Sequence, residues 1–561
     1  MFRKTAKEQQ LGIFSSNDNL LSGKSKDYYQ QADAWHNIFR KEVTMRIDET
    51  LFSKLFSEKM GAPNAPVRIL ISMMVLKEAY GWSDAQLFEH CRYHVLVRSA
   101  LGLLNMDDVI PTESTYYLFR KRIVDYERTT DINIIEEAFA SITKGQARDF
   151  EVSGKSIRMD SKLLSSNIAW YSRYELVHET LRLFCKELKS SGRFVVDNSL
   201  REQLDMILKE EGNKVVFRHS RDEIKSRLQE IGMLIDKLLQ LYALPECTAY
   251  QTLCKVFTEQ YRIDENKILV TRDKEEITSD SVQSPHDPDS HYRNKNGNHV
   301  KGYSINVTES CDKDELHLIA DIDVRPVTTG DNYFLQDGIK QSQKTFTDKI
   351  ENVHADGAYH SPENQQYCKT EEMNLYLTGM HGSEGRYDLA LNENGELIVT
   401  DRVTGKNIPS KKVKGQEKWG IKLSNHNRYF THKEINNCAI RKQIQNLAVE
   451  IKNVRNNVEA TIFQMSYHYP NDKSRYRGLC KHVMWANIRG LWVNFVRILK
   501  HLKGMFAGDR YRRSSHFTNA AYKILFSDMN LALKGFLKIF SLKYFFLTPK
   551  QSFFPICKTD I

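Results

Sequence analysis

The clearest periodic feature of the chain is a run of apolar residues between positions 435 and 462. They recur almost entirely at steps of three and four residues, the spacing of one helix face: Ile435, Ile440, Ile444, Leu447, Ile451, Val454, Val458 and Ile462. This pattern predicts one long amphipathic helix that buries its apolar stripe against a second layer. Two charged residues, Arg455 and Glu459, stand beside the stripe one helical turn apart.

The segments before this helix mix the patterns of strands and helices. Four short segments are strand-like: residues 155–160, 302–307, 316–320 and 351–355. In the first of them polar and apolar residues alternate, as in a half-buried strand. Helical patterns cover residues 28–130 and 170–280, and residues 372–430 alternate strand-like runs with turns. The sequence therefore predicts a mixed α/β fold.

The N-terminal helices are divided by a turn signal at Gly81-Trp82, after which Ser83 and Gln86 have the spacing of a capping box. A later helix carries three consecutive cations: Arg120, Lys121 and Arg122. Short helices, a tight turn and a basic final helix are typical of a helix-turn-helix-like DNA-binding domain, in which these cations would contact DNA. A small helical bundle without DNA-binding function gives the same pattern.

The positive charge of the chain is concentrated near its C-terminal end. The formal net charge is +10, and between positions 471 and 515 there are eleven Lys or Arg residues and two Asp residues. Aromatic residues, among them Tyr476, Trp485, Trp492 and Phe495, are interleaved with these cations. The combination favours a surface that binds phosphates over a merely solvated face. The cations assigned to DNA in this tract are Lys473, Arg475, Arg477, Lys481 and Arg489.

Cysteine use and hydropathy indicate a cytoplasmic protein. The nine cysteines are scattered without a CxxC pair, which argues against a zinc ribbon and fits a reducing compartment. The start of the chain is polar and lacks an apolar signal core. The most apolar late segment, residues 524–547, is interrupted by charges, so we expect an amphipathic helix there and no membrane span.

Two aspartates end up beside predicted strands that are far apart in sequence. Asp160 closes the first strand-like segment and Asp356 follows the fourth. A mixed sheet can bring such carboxylates side by side, where they repel unless cations lie between them. With a third carboxylate from a packed helix, for which Glu459 is the candidate, they would hold two Mg²⁺ or Mn²⁺ ions for in-line attack on phosphorus. Taken alone, each acid fits a turn, cap or helix surface equally well.

Three segments carry a resemblance to a known family. They read Arg158-Met159-Asp160-Ser161-Lys162, His354-Ala355-Asp356-Gly357-Ala358-Tyr359 and Arg455-Asn456-Asn457-Val458-Glu459. Together they resemble the DDE transposases of bacterial insertion sequences, more narrowly the group with a helical N-terminal domain and a long insert after the first Asp. The resemblance runs over about residues 30–500, where Lys301-Gly302-Tyr303 and Arg475-Tyr476-Arg477-Gly478 also match.

This resemblance implies a ribonuclease-H-like catalytic core with helical and β-rich inserts, preceded by an all-α domain. The helical DNA-binding domain would span residues 28–145, and the catalytic domain residues 150–500, with inserts over about 165–285 and 372–430. A basic helical tail would cover residues 501–561. The resemblance further implies divalent metal, double-stranded DNA (the inverted repeats of the element and its target) as partner, a homodimer on DNA, and a place in the bacterial cytoplasm near the nucleoid.

The match to the family pattern is incomplete. Many relatives carry a Tyr three residues before the Arg and a Lys seven residues after the Glu, where this chain has Lys452 and Ser466. Rival acids stand in a Pro-rich segment at Asp287 and Asp289. Two histidines, His354 and His360, suggest a zinc site as an alternative. His354, however, flanks a buried strand, and His360 flanks the start of a helix.

The sequence thus predicts a transposase that cleaves the ends of its own element and joins the 3′-OH ends to target DNA. Asp160, Asp356 and Glu459 would hold the metals, and Arg455 would orient Glu459 or a phosphate. Two alternatives stay open: a structure-specific nuclease that uses the same carboxylates without joining strands, and a non-catalytic DNA-binding regulator.

Overall fold

The structure is a computed structural model that describes residues 1–5, 11–12, 15–380, 382, 384–392, 394–413, 416–423 and 426–506. The chain divides into two units, Met1–Lys503 and Gly504–Ile561. The fold described below is that of the first unit. The predicted tail and the apolar segment 524–547 lie outside the described residues, apart from the end of one helix.

The helices, in chain order, are α1 (Gly23–Gln30), α2 (Trp35–Glu42), α3 (Val67–Tyr80), α4 (Asp84–Tyr93), α5 (Val95–Leu101), α6 (Glu113–Thr130), α7 (Ile134–Asp149), α8 (Arg173–Ser190), α9 (Asn198–Lys209), α10 (Gly212–Arg218), α11 (Arg221–Leu241), α12 (Thr248–Gln260), α13 (Leu335–Thr345), α14 (Pro362–Thr370), α15 (His432–Asn446), α16 (Val449–Asn456), α17 (Val458–Ser466) and α18 (Leu479–Phe506). The strands are β1 (Ser156–Ser165), β2 (Tyr261–Ile263), β3 (Leu269–Thr271), β4 (His291–Lys295), β5 (Asn298–Ser310), β6 (Ile319–Pro326), β7 (Asn352–Ala355), β8 (Asn374–Leu377), β9 (Tyr387–Leu391), β10 (Leu397–Asp401), β11 (Asn407–Ile408), β12 (Ser410–Lys412), β13 (Lys418–Lys422) and β14 (Asn427–Thr431).

A six-stranded mixed sheet forms the centre of the unit. Its main path runs β4-β5-β1-β7-β8, and β6 pairs with β5. The pairs that β5 makes with β1, β4 and β6 are antiparallel, whereas β1–β7 and β7–β8 are parallel. The mixed α/β class predicted from the sequence is therefore confirmed. Of the four predicted strands, three are reproduced closely, and the one at 316–320 begins later, at Ile319.

One hydrophobic core joins the N-terminal helices to the sheet and to α18. Phe39 of α2, Ile305 of β5 and Trp485 of α18 all belong to it. The aromatic residues interleaved with the basic tract are part of this core: Trp485, Trp492 and Phe495 are buried. Their prediction as part of a phosphate-binding surface is wrong, because α18 is a core helix whose apolar residues outnumber its cations.

Two groups of elements outside the central sheet each have their own core. Helices α8–α12 pack around buried residues such as Phe184 and Ile235. Strands β9–β14 and the start of α15 pack around residues such as Val399 and Trp419. The helical group separates β1 from the other five strands of the central sheet, which all lie between His291 and Leu377.

The predicted long helix is divided into three. Helix α15 ends at Asn446, where Leu447 and Ala448 take extended backbone conformations, and α16 gives way to α17 at Asn457. The prediction of one continuous helix is therefore wrong. Residues of the apolar stripe pack against different parts of the structure: Ile435 packs in the β-rich insert, whereas Ile440 packs against the sheet core.

A glycine permits the close approach of β1 and β5. An added Cβ at Gly302 would meet the backbone of Leu164, Ser165 and Ser166. This requirement accounts for the glycine of the Lys301-Gly302-Tyr303 motif, since backbone atoms cannot yield as a flexible side chain does.

Candidate active site and nucleic-acid interface

Asp160 lies on β1, and Asp356 directly follows the neighbouring parallel strand β7. The register pairs Ser156 with Asn352 and Arg158 with His354, and two further residues along each strand bring Asp160 beside Asp356. Neighbouring strands are about 4.8 Å apart. The carboxylate of Asp356 also caps the short helix that follows, accepting the Gly357 N–H at 2.6 Å. The sequence predicted this side-by-side placement of the two aspartates.

Helices α16 and α17 cover the face of β1 that carries Asp160. Alternation along the strand puts Arg158, Asp160 and Lys162 on one face. Each of them contacts the helix pair: Arg158 donates to the Val454 carbonyl at 3.1 Å, Asp160 pairs with Arg455, and Lys162 donates to Ser466 at 2.9 Å. The first aspartate and the candidate third carboxylate are therefore brought together by direct packing.

Arg455 links Asp160 to Glu459. Its guanidinium lies 2.8 Å from Oδ2 of Asp160 and 2.7 Å from Oε1 of Glu459. Burial raises the pKa of Asp160, an effect that Arg455 opposes and the neighbouring Asp356 reinforces. The Asp160 side chain is 15% exposed, whereas that of Glu459 is 63% exposed. The predicted contact of Arg455 with Glu459 is present, with Asp160 as its second partner.

A buried ion-pair network anchors the helix pair beneath this site. Glu309 of β5 is fully buried between Arg158 (2.6 Å) and Arg497 (2.7 Å) and accepts the Thr461 hydroxyl of α17 at 2.7 Å. Burial alone would raise the pKa of Glu309, but Arg497 and Arg158 lower it to about 2. Glu309 thus joins the sheet, α17 and α18.

Replacing Glu309 with Gln is expected to lower the free energy of unfolding by about 3–5 kcal/mol near pH 7, since two buried cations lose their partner. The depressed pKa has a further consequence for the wild type. The contribution of ionised Glu309 to the free energy of unfolding is complete above pH 4.5, the ordinary pKa of Glu. This contribution is lost as the pH falls through about 2. Urea unfolding at pH 7 and pH 3 measures both effects. The exposed Glu371→Gln is the control, and an equal loss in the two variants would contradict the network.

The rival residues have other roles. Asp287 is buried and accepts hydrogen bonds from the hydroxyls of Tyr303, at 2.5 Å, and Ser166. His354 stacks on Tyr376 with ring centroids 5.0 Å apart, and burial lowers its pKa to about 4. Within the described part of the chain, His, Cys, Asp and Glu side chains form no group of three arranged to hold a metal ion.

A basic cleft lies where the N-terminal helices meet the segment before α18. It has a volume of about 760 Å³. Five cationic side chains line it, together with Asp84: Lys77, Arg120, Arg475, Arg477 and Lys481. Asp84 pairs with Lys77, so most of the cleft's positive charge is left to face a ligand. Four of the cations assigned to DNA from the sequence thus line one cleft.

The other cations assigned to DNA are dispersed. Lys121 is exposed, and the Arg122 guanidinium lies 5.3 Å from the ring centroid of Phe56. Lys473 is exposed and donates to the Ile168 carbonyl at 3.4 Å. The prediction of Arg489 is wrong: it is 1% exposed and donates to the main-chain carbonyls of Glu78 and Gln464. Because Arg489 lies inside a core helix, its guanidinium is not accessible to DNA.

Three residues that no site prediction includes stand beside the carboxylates. Lys162 follows Asp160 on the same face of β1. Phe463 of α17 and Tyr467, just after α17, are exposed one and two turns beyond Glu459. The rings of Phe463 and Tyr467 are in edge contact, 5.6 Å between centroids. Their spacing in the sequence could have identified them. Lys162 is two residues after Asp160, and Phe463 and Tyr467 are four and eight residues after Glu459.

None of the helices in the described ranges is long and apolar enough to cross a membrane.

Comparison with known proteins gives one family match. Residues 27–122 match the family model described as Transposase domain (DUF772). No curated protein matches the chain. Among solved structures, the chain is similar to a piggyBac transposase synaptic complex with hairpin DNA, at 10% identity over 88% of this chain and 79% of that one; a TM-score of 0.29 does not establish a shared fold. The chain is thus similar to a family of transposase domains over its N-terminal helices, residues 27–122.

Proposed function

We propose that this protein is a DNA transposase of the DDE type. It would cleave the ends of its own element and join the 3′-OH ends to target DNA. The observation that carries the proposal is the placement of Asp160 on β1 and Asp356 just after the adjacent parallel strand β7, with Arg455 of a packed helix paired with both Asp160 and Glu459. The transposase-domain match of residues 27–122 supports it independently.

The order of the central strands supports a ribonuclease-H-like catalytic core. Strands β6, β5 and β1 are antiparallel neighbours, and β7 and β8 continue the sheet parallel to β1. In this arrangement the acids at β1 and after β7 come from the middle of the sheet, with α16 and α17 on one face. The helical and β-rich inserts interrupt the sequence of this core without entering the sheet order.

The side chains at the site fit divalent metal in their chemistry. Carboxylate oxygens are the ligands that Mg²⁺ prefers, and in the described part of the chain Asp160 has Arg455 as its cationic partner. Nε of Arg455 is buried without a hydrogen-bond partner, and this donor suits a phosphate oxygen of a substrate beside the carboxylates. Asp160, Asp356 and Glu459 would hold the ions, which activate a water or 3′-hydroxyl and stabilise the leaving oxygen.

Arg455 has two roles in this proposal. In the free protein its guanidinium neutralises Asp160 and holds Glu459 in one rotamer. In a complex with DNA the guanidinium would face a phosphate oxygen, for which its planar donors are suited.

The basic cleft would hold the DNA backbone. Arg475 donates through both terminal nitrogens to the carbonyls of Trp82 and Gly81, at 3.1 and 2.7 Å. Arg477 donates through Nε alone, to the Asn167 carbonyl at 2.6 Å, so a test of phosphate binding is better made at Arg477 and Lys481. The double variant Arg477→Gln/Lys481→Gln is expected to flatten the dependence of log affinity on log salt. The expected loss of slope is up to about 0.9 for each phosphate contact removed.

Fluorescence anisotropy with labelled duplex DNA over a range of salt concentrations measures this slope. The matched control, Lys41→Gln/Lys225→Gln, removes the same charge at two side chains that are 79% and 80% exposed. An unchanged slope in the cleft variant, or an equal loss in the control, would show that the cleft is a solvated face.

The DNA that encodes the protein tests the transposase assignment directly. Imperfect inverted repeats close to both ends of the reading frame are expected, and duplexes with those repeats should bind more tightly than scrambled duplexes of equal length. Absence of repeats together with equal binding of both duplexes would favour a nuclease or a regulator.

A further inference from the structure

Lys162 is held by two partners at the edge of the carboxylate site. Its Nζ lies 2.6 Å from Oδ1 of Asp472 and 2.9 Å from Oγ of Ser466, the last residue of α17. The Lys162 side chain is 24% exposed and that of Asp472 is 49% exposed. The ammonium is therefore close to solvent, and a carboxylate covers it.

The carboxylate partner comes from a strained turn. Asn471 and Asp472 have φ values of 56° and 50°, the left-handed region that non-glycine residues rarely adopt. Two such residues in succession are costly, and strained conformations of this kind cluster at ligand clamps and switch regions. A half-exposed ion pair contributes little stability, so the Lys162–Asp472 contact alone gives no evident reason for the turn.

The turn also connects the two candidate sites. It follows α17, which carries Glu459, and leads directly into the segment with Arg475 and Arg477 that lines the basic cleft. Ser165, at the end of β1, pairs with Lys473 just after the turn. Lys162 thus stands on β1 between Asp160 and the cleft.

We propose that Lys162 and the Ser466 hydroxyl form a binding site for a phosphodiester group of the DNA strand, and that the Asp472 carboxylate occupies this site in the free protein. This inference rests on the proposed function. A carboxylate and a phosphodiester both present oxygen acceptors with negative charge, and a Lys ammonium binds either as a point charge. Residues two apart on a strand are separated by about 6.6 Å, so the phosphodiester at Lys162 would be a neighbour of the group that reacts at Asp160.

This arrangement predicts opposite effects for the two partners of the ion pair. Lys162→Met removes the cation that binds the phosphodiester, and we expect at least a fivefold loss of affinity for duplex DNA and a salt slope smaller by about 0.9. Asp472→Asn removes the competing carboxylate, and we expect a severalfold gain in affinity. Lys162→Arg should keep most of the binding.

The control is Lys155→Met, which removes a half-exposed lysine from the segment leading into β1, where its Nζ is 3.7 Å from Asp348. It should bind as the wild type does. Affinities are measured by anisotropy in EDTA, so that no strand is cut, on duplexes with the element end and on random duplexes of equal length. Thermal melting checks that each variant is folded.

Three results would overturn the proposal: Asp472→Asn binds no better than wild type, Lys162→Met binds with unchanged affinity and slope, or both variants lose affinity equally, as a structural ion pair predicts. If Lys162→Met does not fold, Asp472→Asn decides alone. Failure of the transposase assignment is seen separately, as equal wild-type affinity for element-end and random duplexes, because binding of a phosphodiester at Lys162 is measurable on either.

Discussion

Asp356→Asn is expected to abolish cleavage of element-end DNA while leaving DNA binding intact. The substitution keeps the shape of the side chain and its cap on Gly357, but removes the charge of a metal ligand. Loss of such a ligand costs several kcal/mol of transition-state stabilisation, which corresponds to at least about a 100-fold fall in rate. Cleavage of a labelled duplex in Mg²⁺ and binding in EDTA measure the two properties.

The matched control for this variant is Asp348→Asn. Asp348 precedes β7 and has a side chain that is 43% exposed, so the same change in charge is made at a position remote from the carboxylate site. It should cleave at the wild-type rate. If Asp356→Asn also cleaves at the wild-type rate, Asp160 and Asp356 do not form the catalytic site.

Glu459→Gln is expected to reduce cleavage by a similar factor. The reason is the position of Glu459 beside Arg455, which also holds Asp160. Its amide would bind a divalent ion far less well than a carboxylate, since it carries no charge. Cleavage rates in Mg²⁺ on matched element-end duplexes measure the effect, with thermal melting as the check on folding.

Two other glutamates of this region serve as controls. Glu434 caps α15 through Thr431, and Glu450 is exposed in the first turn of α16. Both Gln variants should keep at least about a tenth of the cleavage rate, because neither contacts Arg455 or the aspartates. A dead Glu450→Gln with an active Glu459→Gln would show that the third carboxylate is misassigned.

The parts of the site that the sequence predicts are those with local signals. Alternation of polar and apolar residues locates β1, and the strand-like segment 351–355 before Asp356 locates β7. The capping box at Ser83 is reproduced because it depends on residues within one turn. Adjacent parallel strands then bring Asp160 and Asp356 together.

The parts that it does not predict depend on tertiary contacts. The apolar stripe of residues 435–462 runs on through Leu447 and Ala448, although the backbone leaves the helix there. Its residues pack against different cores, Ile435 in the β-rich insert and Ile440 against the sheet. Arg489 lies in the basic tract and is therefore assigned to DNA from the sequence, yet its guanidinium donates to buried carbonyls of α3 and α17. The contact of Lys162 with Asp472 joins positions 310 residues apart, and periodicity carries no information about such a pair.

The most direct test of the central claim is a strand-transfer assay with the wild-type protein. A labelled duplex that ends in the element's inverted repeat is incubated with supercoiled target plasmid in Mg²⁺, Mn²⁺ or EDTA. The account predicts that the 3′ end of the labelled strand becomes covalently joined to the plasmid in Mg²⁺ or Mn²⁺ and not in EDTA. Cleavage without joining would indicate a nuclease, and joining that persists in EDTA would contradict the carboxylate-metal site.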